Sequence, residues 1–168
     1  MATLAITAVN YCADAQNNSI ARNTSSAKHN DDLAIFSGSY APVADANVNA
    51  KALKDFSKSF KNATNAKWYG ATDGFFANFS DKGIETKVTY DLKGNWHCTM
   101  RTYDESRMPS DVRETVKSKY YDFEVLVIYE IAHSNNVTYI IKIQDDKTLK
   151  TLRLINGEME VIGDYVRG

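Results

Sequence analysis

Three histidines, two cysteines and two adjacent carboxylate pairs are the residues whose types suit catalysis or metal binding. The histidines are His29, His97 and His133. General acid–base chemistry needs such a ring within hydrogen-bond reach of a partner and of the substrate. No partner motif lies near any of the three in sequence. The chain carries no H-E-x-x-H, G-x-S-x-G, phosphate-loop or dinucleotide fingerprint. Cys12 and Cys98 fit no C-x-x-C or zinc spacing. Cys98 is expected to share a strand face with Trp96 and Met100, as a small core residue rather than a nucleophile. Asp31-Asp32 falls in a polar stretch and Asp145-Asp146 at a turn, so neither pair reads as a metal site. The chain reads as non-enzymatic, with no cofactor and no metal. An unrecognised enzyme, its site assembled only in three dimensions, is the third-ranked alternative.

Composition sets the frame for whatever positions a site. The chain has 168 residues, of which 43% are hydrophobic. That suits one globular domain, or one domain plus a tail. A folded region of roughly 120 residues buries well over half of its unfolded-state surface, so the core needs no disulfide or metal staple. Net charge is −1, from 20 Lys+Arg against 21 Asp+Glu. This offers no basic field for nucleic acid or an anionic membrane. No segment after the N-terminal run is long and apolar enough to span a bilayer.

The N-terminal residues have the chemistry of an export signal. Leu4, Ala5, Ile6, Ala8 and Val9 form a short apolar run. Ala13-Asp14-Ala15 supplies small residues at the two positions a signal peptidase requires, leaving Gln16 first. Residues 1–15 therefore read as a signal-peptide remnant, although no Lys or Arg precedes the run; a polar terminus is the alternative. Val9-Asn10-Tyr11 before Cys12 is a poor lipid-attachment box. Residues 16–47 are rich in Asn, Ser, Ala and Asp and are expected to form a flexible polar tether. Leu33-Ala34-Ile35-Phe36 is the exception, apolar enough to dock on the domain as a short strand.

From Val48 onward the texture changes. Leu53, Phe56 and Phe60 recur at helical spacing, with Lys51, Lys54, Asp55 and Lys58 turned away. Asn47 or Asn49 is expected to cap this helix. Four strand-like runs follow at about 65–69, 75–80, 84–90 and 95–102. Ile84, Thr86, Val88 and Tyr90 alternate with Glu85, Lys87 and Thr89, the mark of an antiparallel sheet with one buried face. Turns are expected at Asp81-Lys82-Gly83 and Lys93-Gly94-Asn95, where glycine supplies positive φ. The order then repeats. Pro109 suits a helix's first turn, Asp111 favours the same end, and Val112, Val116 and Tyr120 form the apolar stripe. Four more strands are expected at 123–131, 137–144, 148–155 and 158–166, with a turn at Asn156-Gly157. The expected fold is α+β: two tandem α-β-β-β-β repeats, 48–104 and 105–168, forming one duplicated domain. Its antiparallel sheet would have helices packed on one face.

Several residues together resemble a known family. They are Lys54-Asp55-Phe56 through Phe60, Asn62-Ala63-Thr64-Asn65-Ala66-Lys67-Trp68, Gly74-Phe75-Phe76-Ala77-Asn78-Phe79, Val88 through Trp96, and Met108-Pro109 opening a helix. The chain resembles the small exported proteins of Gram-negative bacteria described as PepSY-like or beta-lactamase-inhibitor-like (BLIP-like). The resemblance covers most of residues 47–168 and is strongest in the first half. It implies the duplicated fold, an export signal and a periplasmic or secreted location. It implies no established activity, because these labels describe fold and fold does not set function. The second half departs from the motif, with Glu158-Met159 in place of the Asn-Trp pair and a longer hairpin at His133-Ser134-Asn135-Asn136.

The two-layer arrangement would leave one sheet face to water or a partner. If Phe75, Ala77 and Phe79 point inward, Phe76 and Asn78 point out. If Tyr139, Ile141 and Ile143 point inward, Ile140 and Lys142 point out. Around Phe76 and Ile140 the expected outer face holds Tyr69, Lys87, His97, Arg101, Tyr103 and Arg153. Aromatic and arginine side chains suit an interface centre. A β-bulge would reverse this face assignment locally. The leading expectation is a binding module using that face for a protein, peptide or envelope component, with an inhibitor-like manner of binding among its forms. The runner-up is a structural or self-associating envelope protein.

Overall fold

The computed structural model describes residues 40–166. The signal reading of residues 1–15 and the docking expectation for Leu33-Ala34-Ile35-Phe36 lie outside the described residues. The described chain forms one nine-stranded sheet in which every neighbouring pair is antiparallel and spatial order follows sequence order. The strands are β1 (Ala41–Pro42), β2 (Ala63–Ala71), β3 (Gly74–Asp81), β4 (Ile84–Asp91), β5 (Trp96–Tyr103), β6 (Glu124–His133), β7 (Asn136–Gln144), β8 (Thr148–Ile155) and β9 (Glu158–Val166). Two α-helices accompany them, α1 (Ala50–Ser59) and α2 (Ser110–Lys117). Among the described residues no helix is long and apolar enough to cross a membrane.

The strands form where alternation predicts them, and the turns close on the residues that tolerate positive φ. Lys82 and Gly83 both have positive φ between β3 and β4, as do Asn156 and Gly157 between β8 and β9. Their twist matches that of the flanking strands. Asn49 caps α1 by accepting the Lys51 N–H at 2.9 Å. Pro109 sits one position earlier than expected, at the N-cap of α2 rather than in its first turn.

The expected α+β architecture of two helix-covered α-β-β-β-β repeats is corrected. β5 and β6 pair directly, from Cys98 opposite His133 to Tyr103 opposite Ile128, so the two halves share one ladder. The helices have ten and eight residues, hence lengths of about 15 and 12 Å. Nine strands about 4.8 Å apart span roughly 38 Å. The helices cover patches of the sheet and do not form a second layer across it. The segment expected as tether also changes character before its predicted end: Ala41 and Pro42 pair with Gly70 and Tyr69 of β2.

Burial follows the two faces of the sheet. On the first, α1 closes over Trp68, Ala77, Phe79, Val88 and Tyr90 with Ala52 and Phe60. Further along the same face, Val112 and Val116 of α2 pack with Ile128, Ile141, Ile143, Leu152 and Leu154. The second face carries a separate buried cluster of Cys98, Tyr129, Ile131 and Ile140, with Met100 and Val127 against it.

One glycine ties α1 to the sheet. Gly94 has φ +75°, and a Cβ there would collide with Asn49 Oδ1 and the Ala52 backbone nitrogen. Asn49 Nδ2 also donates to the Leu92 carbonyl at 3.1 Å. The helix start therefore seats directly on the β4–β5 turn. Gly157 has φ +82° with nothing within 4 Å of the position of a Cβ. In urea denaturation, Gly94→Ala is expected to cost about 2 kcal/mol or more, from backbone strain plus overpacking. Gly157→Ala carries the backbone term alone, about 1 kcal/mol. Equal costs at the two sites would contradict the seating of Asn49 against Gly94.

Candidate functional site

The eight residues expected on one open face divide between both faces. Phe76 and Ile140 do share the second face, opposite the helices, yet both are buried rather than exposed to water. Tyr69 stacks on Phe76 with ring centroids 4.9 Å apart and planes 12° from parallel. Tyr40 meets Phe76 edge-on at 5.2 Å, and Lys87 Nζ lies 4.3 Å from the centre of the Phe76 ring. Arg153 stands opposite Ile140 in the β7–β8 register and is held by Glu160 of β9. The His97 ring meets that of His133 at 5.0 Å, and His133 Nδ1 lies 2.8 Å from the His97 carbonyl oxygen. Burial, then the neighbouring His133, hold the His97 ring below the usual histidine range.

Arg101 and Tyr103 lie on the helix side instead. Register sets Arg101 opposite Thr86 and Glu130, and Tyr103 opposite Ile128. Arg101 Nη1 donates to Glu130 Oε1 at 2.7 Å and Tyr103 Oη to Glu130 Oε2 at 2.7 Å. One carboxylate thus joins β5 to β6 with both oxygens used. The displacement arises where the β4–β5 register shifts between Thr89 and Tyr90, which puts Tyr90 opposite Trp96. The bulge also separates Trp96 from Cys98 and Met100, whose face it was expected to share. The Trp96 indole lines the α1 side of the sheet.

A cleft opens beside Trp96 on the α1 side of the sheet. It has a volume of about 430 Å³ and is lined by Asp55, Ser59, Phe60, Trp96, Thr99, Arg101 and Ala132. Most of its polar groups are engaged within the fold. Asp55 accepts from the Tyr90 hydroxyl at 3.0 Å, Thr99 accepts the Trp96 indole N–H at 2.9 Å, and Arg101 is held by Glu130. Among the described residues no group of three or more His, Cys, Asp or Glu converges as a metal site. Asp145 behaves as the turn residue expected of it: the Lys147 and Thr148 backbone N–H groups at 2.9 and 2.6 Å hold its carboxyl below the ordinary range.

The surface that residue spacing did not single out is the rim of the sheet at β9. Val161, Ile162, Tyr165 and Val166 are all exposed on this one strand. β9 pairs with β8 on one side and, among the described residues, with nothing on the other. An edge strand presents a row of unpaired N–H and C=O groups to solvent. The opposite rim is shielded differently: β1 is two residues long, contains Pro42, and is followed by Val43 donating to the Trp68 carbonyl at 3.0 Å. The sequence did hold a signal for β9. Adjacent Val161 and Ile162 break the alternation, and the register shifts there between Thr151 and Leu152 of β8.

No protein-family model and no curated protein matches the chain. Solved structures do resemble it. A BLIP-like protein from Bacteroides fragilis has 19% identity and a TM-score of 0.56, covering 71% of this chain and 89% of its own. A DUF2874 family protein from Bacteroides ovatus has 17% identity and a TM-score of 0.57, covering 71% and 88%. A protein from Bacteroides eggerthii described as a candidate periplasmic protein has 14% identity and a TM-score of 0.55, with the same coverage. These likenesses show the fold alone: the chain folds as the BLIP-like and DUF2874 proteins do.

Two phenols report on the integrity of this region. Burial, then the hydrogen bond to Glu130, hold Tyr103 far above the usual tyrosine range; burial, then Asp55, do the same for Tyr90. Folding keeps both neutral. Their contribution to stability is full below the unfolded-state value of about 10 and is lost as pH rises through the higher folded-state value. Absorbance titration at 295 nm is expected to show Tyr90 and Tyr103 ionising only as the protein unfolds in alkali. Tyr90→Phe and Tyr103→Phe should each remove one. Ionisation of every tyrosine near 10 with the fold intact would contradict the assignment.

Proposed function

We propose that the protein is an exported, non-enzymatic binding module of the bacterial envelope, and that it holds a protein or peptide partner along the outer edge of β9. The observation that supports this reading is the nine-residue edge strand carrying four exposed apolar side chains. Addition of a strand to such an edge draws its affinity from main-chain hydrogen bonds and its specificity from alternate side chains. The buried second face, expected to hold the partner, does not support that role as it stands. The periplasmic location follows the description of the Bacteroides eggerthii neighbour and the export chemistry of the N-terminal residues. The PepSY-like side of the sequence resemblance belongs to this reading as well. The same β9 edge favours a second reading, a structural protein that associates with copies of itself.

The test uses residues 16–168 as bait against the envelope fraction of the native organism. Ile162→Lys/Tyr165→Lys is the edge variant. Tyr121→Lys, at an exposed site away from β9, is the control. One partner retained by wild type and control, and lost with the edge variant, is the expected result. The same partner held equally by the edge variant would place the interface elsewhere. Sedimentation of the wild type as a dimer that the edge variant dissolves would favour self-association.

A further inference from the structure

The second face of the sheet is out of water although neither helix lies over it. Cys98 is 0% exposed, Ile140 1% and Phe76 2%. The helices pack with the opposite face, in the two clusters around Trp68 and Ile141. Neighbours within a sheet shield a side chain at its flanks, while near-zero exposure requires atoms above it. Among the described residues the Tyr40 ring and Lys87 Nζ lie over Phe76 at one end of the stripe, and Lys142 Nζ lies 5.9 Å from the centre of the Tyr129 ring further along; two ammonium groups and one ring are a thin cover for the apolar track.

We infer that the occupant of this face is the chain's own apolar run Leu33-Ala34-Ile35-Phe36. Four observations converge. The described chain begins at Tyr40, and its ring already rests on Phe76 and Tyr69 of this face. Leu33-Ala34-Ile35-Phe36 is the longest apolar run in residues 16–39, where otherwise only Ile20-Ala21 and the lone Ala27 interrupt polar residues and Gly38. The distance fits: from Phe76 on β3 to Ile140 on β7 is four strand spacings, about 19 Å. Residues 33–36 stand four to seven positions before Tyr40, a reach of roughly 13 to 23 Å in extended chain. The chemistry fits too, since Cys98, Met100, Ile131, Tyr129 and Ile140 offer an apolar track suited to Leu33, Ile35 and Phe36. The run lies beyond Ala15, so removal of a signal peptide there would retain it. Any ligand of this face competes with the run for the same track.

Cys98 is the reporter. In the full chain carrying Cys12→Ser it is the sole thiol, and it reacts with Ellman's reagent only when the face opens. Adding Ile35→Asp/Phe36→Asp is expected to speed its labelling by about tenfold or more, with circular dichroism and the urea midpoint showing the fold retained. An unchanged rate overturns the inference. A rate in the Cys12→Ser protein that rises on dilution, before any change to the run, assigns the face to a second copy and also overturns it. Should the aspartate variant unfold, the unaltered chain still decides the matter. Nuclear Overhauser contacts from the Phe36 ring to the Ile131 and Ile140 methyl groups are expected, and their absence counts against the assignment.

Discussion

The pairing of β5 with β6 is the constraint on which the rest of the sheet depends. Six register pairs run from Cys98 opposite His133 to Tyr103 opposite Ile128. Without this ladder the chain would hold two small sheets, each with one short helix, and units of that size bury too little surface to be secure. The ladder is fastened on both faces. On the helix side Glu130 takes hydrogen bonds from Arg101 and Tyr103 with separate oxygens. On the other side Cys98, Tyr129, Ile131 and Ile140 cluster across β5, β6 and β7. Removing one partner of a half-buried charged pair costs more than the pair contributes, because the other group is left desolvated and unpaired.

Among the described residues, joining the halves in sequence order leaves the sheet with two rims and no closure. β2 is shielded by a two-residue strand containing proline. β9 is longer and exposes four apolar side chains, and two of its three acidic residues are turned back onto the sheet: Glu160 to Arg153 and Asp164 to Lys150 at 2.6 Å. Charges that would otherwise repel an incoming strand are thereby satisfied internally. The same topology that stabilises the middle of the molecule concentrates its exposed backbone at one end. That asymmetry is the physical basis for preferring the edge over the cleft at Trp96, whose polar groups are largely consumed by the fold.

Much of the local structure was legible. Alternation located all eight long strands, and β8 and β9 match the predicted limits of 148–155 and 158–166. Glycine and asparagine marked the turns that adopt positive φ. Pairing between β5 and β6 was not legible, because some twenty residues and a helix separate them and periodicity does not say which strands meet. The face of Arg101 and Tyr103 was lost to a single bulge after Thr89, since one inserted residue inverts every later side chain. The burial of Phe76 and Ile140 was missed by granting the second face to solvent on architectural grounds. Val125-Leu126-Val127-Ile128-Tyr129 and Tyr139-Ile140-Ile141 are near-continuous apolar runs, the pattern of strands covered on both sides.

The account rests on a sheet that is closed at its centre and open along β9. Residue-resolved hydrogen exchange on the free monomer tests this most directly. The account predicts the slowest amides in β5 and β6, exchanging only with global unfolding, and alternate amides of β9 exchanging near the free-chain rate because their N–H groups point away from β8. Uniform protection along β9, equal to that of β6 in a sample shown to be monomeric, would contradict it.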